Sequence, residues 1–214
     1  MKKLCEKILN ELKYKGFLRK QKSTPRLFPT FKDRVKSVAS KGGVKLQDMA
    51  AEAFHFRVSS GTKDGVQYDV FLNFKNLPEM IEKHVANKKL WTTDMEHVDY
   101  RRLAAEIFND VDIETDCSCP ADTYWGPEYI KTRRAAQYGE QENRPPRVRN
   151  PRQYGIMCKH TDLVFGTLPF YIVTLGSYLK KFYQKEVEEA ENKFRREVAH
   201  IQQAAGFLSK QENS

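Results

Sequence analysis

The stretch Val111-Asp112-Ile113-Glu114-Thr115-Asp116-Cys117-Ser118-Cys119 decides how this chain is read. In an extended strand successive side chains point to opposite faces. Val111, Ile113, Thr115, Cys117 and Cys119 then share one face, and Asp110, Asp112, Glu114 and Asp116 align on the other. The two thiols stand side by side and can reach one ion. A second pair, Cys158 and His160, lies further along. On a continuous helix these two would diverge by about 200°, so Cys158 is expected just before a helix and His160 within its first turn. Thiolate and neutral imidazole are the ligand types zinc prefers, and a Cys3His set closes the tetrahedron without an open position for water or substrate. The expectation is one structural zinc held by Cys117, Cys119, Cys158 and His160. The competing reading is two unrelated cysteine pairs, one of them redox active. Cys5 stands apart from both pairs.

Upstream of this strand, Phe54, Phe56 and Val58 alternate, as do Val66, Tyr68, Val70, Leu72 and Phe74, with Ser60-Gly61-Thr62-Lys63-Asp64-Gly65 between them. That pattern predicts a β-hairpin with one apolar face. Pro78 fits the first residue of a short helix, and Leu103, Ala104 and Ile107 mark a second over 98–110, before the strand at 111–117. Downstream, Leu168, Ile172, Leu175, Leu179 and Phe182 form one helical stripe. Val187, Phe194, Val198, Ile201, Ala205 and Leu208 form another near heptad spacing. Glu191 interrupts that seam, so it suits assembly and internal packing equally. The apolar run 168–179 contains Pro169 and Gly176 and falls short of the roughly 20 residues that span a bilayer. It reads as a core helix. The fold class expected is α+β: a small antiparallel sheet with packed helices, one structural zinc site and a helical C-terminus.

Thirty-seven Lys and Arg against 28 Asp and Glu give the 214 residues a net charge of +9. The charge is concentrated: residues 1–45 hold fourteen basic side chains against Glu6, Glu11 and Asp33, so the remainder is close to neutral. A basic segment favours acidic partners, nucleic acid or an acidic protein surface. Leu4, Ile8 and Leu12 predict a short amphipathic helix over 2–15, ended by Gly16. The text from Phe17 to Phe31, with Pro25 and Pro29, reads as an extended arm whose Arg19, Lys20, Lys22 and Arg26 are candidate contacts. Its bland reading is a solvated linker. Met1-Lys2-Lys3 leads into a charged stretch rather than an apolar leader, so cytosolic synthesis is expected. The expected organisation is a basic helix and arm over 1–45, an α+β zinc domain over 46–184 with a long insertion at 120–157, and a C-terminal helix and tail over 185–214.

The insertion places Arg133, Arg134, Arg144, Arg147, Arg149 and Arg152 among Tyr124, Trp125, Tyr129, Tyr138 and Tyr154. Forked donors and stacking faces suit nucleic acid. The same mixture dominates protein interfaces, and Glu128, Glu140 and Glu142 would repel phosphates. The acidic row Asp110, Asp112, Glu114 and Asp116 has a catalytic reading, Mg2+ for phosphoryl chemistry. Its plainer readings are a solvated strand face or one neutralised by these arginines. No base or lysine motif accompanies the row, so no enzyme is expected. His55, His84, His97 and His200 show no ligand or triad spacing. Lys41-Gly42-Gly43 lacks phosphate-loop spacing and reads as a turn.

The Cys-x-Cys…Cys-x-His pattern resembles the SWIM-type zinc finger, a ββα module of nucleic-acid enzymes and interaction proteins, over about 113–165. The 38 residues between its halves are long for that family. The wider text, Cys117-Ser118-Cys119-Pro120, Glu142-Asn143-Arg144-Pro145-Pro146, Arg149-Asn150-Pro151, Cys158-Lys159-His160 and Leu168-Pro169-Phe170, is similar to a family of tailed-bacteriophage proteins regarded as virion structural or assembly components. That resemblance, over about 54–182, implies a head, neck or tail part, made in the host cytoplasm and residing in the virion. Its partners would be other virion proteins or copies of itself, with DNA touched through the basic arm, and no membrane or small-molecule substrate. The alternative is a SWIM-type nucleic-acid-binding protein of replication or transcription.

Overall fold

A computed structural model describes residues 29–50, 52–92, 97–124 and 157–211. The expected helix over 2–15, the arm residues Arg19, Lys20, Lys22 and Arg26, and the insertion's Arg133, Arg134, Arg144, Arg147, Arg149 and Arg152 lie outside the described residues. In chain order the elements are α1 (Pro29–Ser40), β1 (Val44–Ala50), β2 (Ala53–Ser59), β3 (Gln67–Phe74), α2 (Leu77–Val85) and a 3-10 turn (Lys88–Leu90). They continue with α3 (Tyr100–Asp110), β4 (Ile113–Cys117), α4 (Pro120–Tyr124), α5 (Lys159–Thr167), a 3-10 turn (Leu168–Tyr171), α6 (Ile172–Phe182) and α7 (Gln184–Gln211). The chain divides into two compact units, Met1–Lys75 with Asn109–Tyr171 and Asn76–Phe108 with Ile172–Ser214. The α+β class read from the sequence is the class observed.

The first unit is built on a four-stranded antiparallel sheet in the order β1-β2-β3-β4. The expected hairpin is there in full register, with Phe54 opposite Leu72, Phe56 opposite Val70 and Val58 opposite Tyr68. Because side chains alternate, Phe54, Phe56, Val58, Val70, Leu72, Phe74 and Ile113 fall on one face, all fully buried. α5 packs along the sheet and contributes Val164 and Phe165 to this core. Phe54 meets Phe74 edge-on at 5.3 Å between ring centres, the geometry aromatic quadrupoles prefer.

The sequence reading contains no strand at β1. Val44 and Leu46 begin an alternation, but the pairing shifts between Leu46 and Asp48. That bulge moves Met49 onto the apolar face and breaks the period of two. The segment from Pro29, read as the end of an extended arm, is instead the start of α1. Proline at a helix start fixes a helical φ and gives up an N–H that has no partner there in any case. α1 buries Val38 and packs against α5. Its end approaches Gly61 closely: a Cβ there would stand 3.1 Å from Val38 Cγ2, and Ser37 Oγ donates to Gly61 O at 2.8 Å. Lys41-Gly42-Gly43 is the turn expected, with φ of 117° at Gly42 and 64° at Gly43, values that cost glycine little.

The second unit is helical. α2 buries Leu77, Ile81 and Val85, with Pro78 in its first turn as expected. α3 buries Leu103, Ala104, Ile107 and Phe108. α6 buries Leu175 and Leu179, and its Gly176 lets the helix approach α3: a Cβ would lie 3.0 Å from Tyr100 O. Phe182, the last of the expected stripe, is 55% exposed. Lys159–Phe182 is 24 residues, long and apolar enough by composition to cross a membrane, with 33% of its apolar window buried inside protein.

Candidate metal centre

β4 delivers the first ligand pair. Its register against β3 sets Cys117 opposite Val70, on the core face, with Ile113 and Thr115 in the same row. Ser118 then extends the pairing by one residue. Its N–H donates to Asp69 O at 2.9 Å, and its Oγ accepts from Asp69 N at 2.9 Å. The middle residue of the Cys-x-Cys is therefore pinned to β3, which holds both flanking thiols in place. Cys119 immediately precedes α4, which Pro120 opens.

α5 delivers the second pair as the spacing requires. Cys158 is its N-cap, in extended conformation at φ −74° and ψ 170°, and His160 lies in its first turn. The Cys158 sulfur takes the capping role usually played by an oxygen: the Thr161 N–H donates to it at 3.5 Å.

The four donor atoms lie within 4.8 Å of one another. His160 Nδ1 stands 3.9 Å from both Cys117 Sγ and Cys158 Sγ. Ligand bond lengths for zinc imply tetrahedron edges of about 3.5–3.8 Å, so the set is close to closed around a single ion. All four residues are buried, His160 to 1% exposure. The three sulfurs are free thiols. Burial pushes the Cys117 thiol well above its ordinary range. Hydrogen bonds with Cys117 and then Cys158 hold Cys119 down to about 4. A buried thiolate beside the Asp122 carboxylate is costly unless a cation offsets it, and the donor set fits a divalent metal. The same group is the convergence of metal-ligating side chains found among the described residues.

Two supporting residues, Asp122 and Tyr68, are not assigned to the site by the sequence reading. Asp122, 2% exposed, accepts the Cys117 N–H at 3.2 Å, while its own N–H donates to Cys119 O at 2.9 Å. Its signal was available: Asp122 stands three residues after Cys119, as Thr161 does after Cys158, the offset of a helix cap and its third residue. Tyr68 packs its ring 4.8 Å from the His160 imidazole, whose Nε2 is buried with no hydrogen-bond partner. Tyr68 shares the core face with Val70 by alternation, but only the register against β4 brings it beside a ligand.

The acidic row is corrected by the structure. Asp110 is the last residue of α3 and so is not on the strand face. Glu114 pairs with Lys75 Nζ at 2.6 Å, Asp116 is buried, and Asp112 Oδ1 is buried without a hydrogen-bond partner. These carboxylates do not converge on a point. On the outer sheet face His55 lies between Asp69 at 2.8 Å and Asp48 at 3.5 Å, and His97 lies 3.7 Å from Glu191.

Comparison with protein families, with curated proteins and with solved structures finds no match to this chain.

Proposed function

We propose that the ion held by Cys117, Cys119, Cys158 and His160 is zinc, that it is structural, and that the protein works by binding rather than catalysis, as an assembly component of a tailed-bacteriophage particle. The observation that carries the first part is the buried Cys3His set: thiolates and imidazole select zinc over harder cations, and four protein donors leave no site for substrate. When bound, zinc supplies cross-linking free energy between β4 and α5. The two ligand pairs bracket residues 120–157, so closing them ties both ends of the arginine- and tyrosine-rich insertion to one point. That supports its use as a contact surface. The particle assignment rests on the resemblance of the text around the ligands and at Leu168-Pro169-Phe170.

A second reading, a SWIM-type nucleic-acid-binding protein, is favoured by the concentration of fourteen basic residues in 1–45. Metal analysis of protein purified without added zinc tests the centre. One zinc per chain is expected, lost in Cys158→Ser; folded wild type free of metal would overturn it. Mass spectrometry of purified particles tests the assignment. Absence from particles, with DNA affinity that falls steeply with salt and disappears on deleting residues 1–45, would favour the second reading.

A further inference from the structure

α7 changes character halfway along. From Gln184 to Glu197 nine of fourteen residues are charged; from Val198 to Gln211 only Lys210 is. The first half is packed within its own unit. Val187 and Glu191 are buried, and Phe194 lies 5.4 Å from Trp91. The stripe that does this packing continues at the same alternating spacing of four and three through Val198, Ile201 and Ala205. There it meets water: Ile201 is 68% exposed and Ala205 is exposed.

A helix that stays in water carries charge around its surface. The second half of α7 instead flanks its apolar stripe with Gln202 and Ala204 and carries Gln203 on the far side. Neutral flanks decide the occupant. The strongly cationic residues 1–45 find no acidic counterpart on this segment, whereas an identical neutral helix meets no like charge, even in a chain of net +9. Val198 and Ile201 hold heptad positions, and Ala205 allows close approach. We propose that the second half of α7 pairs with the same segment of a second copy of this chain. Fourteen residues of helix span about 21 Å, which sets the contact below about 1,200 Å2, in the weak, reversible class.

The inference depends on α7 alone and does not need the metal or the particle reading. Sedimentation velocity on the full, metal-loaded chain from about 1 to 200 μM tests it. The expected result is a reversible rise in mass with concentration, weakened at least tenfold by Ile201→Glu, with the urea midpoint unchanged because the side chain is already exposed. If Ile201→Glu fails to fold, Ala205→Glu carries the same test. A wild type that stays monomeric overturns the proposal, as does self-association indifferent to both variants. So does a monomer that begins to associate only when residues 1–28 are removed, which would make that segment the occupant.

Discussion

The two units of this chain hold together by different means. The first closes an aromatic-faced sheet with four donor atoms drawn from segments 38 residues apart; the second packs helices through aliphatic side chains and one buried carboxylate. Glu191, 4% exposed, accepts the Val98 N–H at 2.7 Å, with Arg195 at 3.6 Å and His97 at 3.7 Å from its other oxygen. Trp91 pairs with Val98 across the same connection and donates its indole N–H to Val85 O at 2.9 Å. Each unit thus has a polar keystone where two distant segments meet, but among the described residues only the first is built from converging metal-ligating side chains.

The largest expected effect breaks the first unit. Structural zinc supplies on the order of 10–16 kcal/mol in small zinc peptides. Chelation, or Cys117→Ser, is expected to expose α5 and α1 to hydrogen exchange while α2 and α7 keep their protection. Equal loss in all four helices would erase the contrast between the units. Because protons compete with the metal for the sulfurs, release is also expected as pH falls, with more than one proton taken up per ion. Titration with a chromophoric chelator measures this.

Next come the keystones themselves. Glu191→Ala leaves the buried Val98 N–H without its partner and is expected to cost about 1–3 kcal/mol in urea unfolding; Glu191→Gln keeps an acceptor and should cost less. Equal losses would shift the credit from the hydrogen bond to the charge. Gly176→Ala drives a Cβ into Tyr100 O and is expected to cost about 1–3 kcal/mol by overpacking. Asp122→Ala is expected to weaken zinc affinity about 10–100-fold, as loss of an outer partner of a metal ligand does, measured by competition with a chelator. An unchanged affinity would show that the Ser118 clamp suffices to hold the thiols. The smallest effect belongs to Lys193→Ala. Its pair with Glu82 is exposed, and the urea midpoint is expected not to move.

Local pattern was legible from the sequence wherever a single period ran uninterrupted. The hairpin of β2 and β3, the strand into Cys117 and the placement of Cys158 before a helix all follow from spacings of two residues or one helical turn. The convergence of Cys117, Cys119, Cys158 and His160 was legible for the same reason, because each pair is local. β1 was not, since a bulge hides its alternation. Nor was α1, because its first residues look like the end of a proline-containing arm.

What only the tertiary structure decides is which local faces meet. Nothing along the chain says that Tyr68 packs on His160, because that contact is set by strand register. The acidic row shows the same limit from the other side. Four carboxylates at alternate positions look like one face, yet α3 ends at Asp110, so the first belongs to a helix. The heptad stripe of α7 likewise reads as a single seam, broken only by Glu191. Folding spends Val187 and Glu191 inside the second unit and leaves Ile201 and Ala205 facing water, because α2 and Trp91 cover only the residues they reach. Sequence determines what each segment offers; long-range packing determines which offers are taken up.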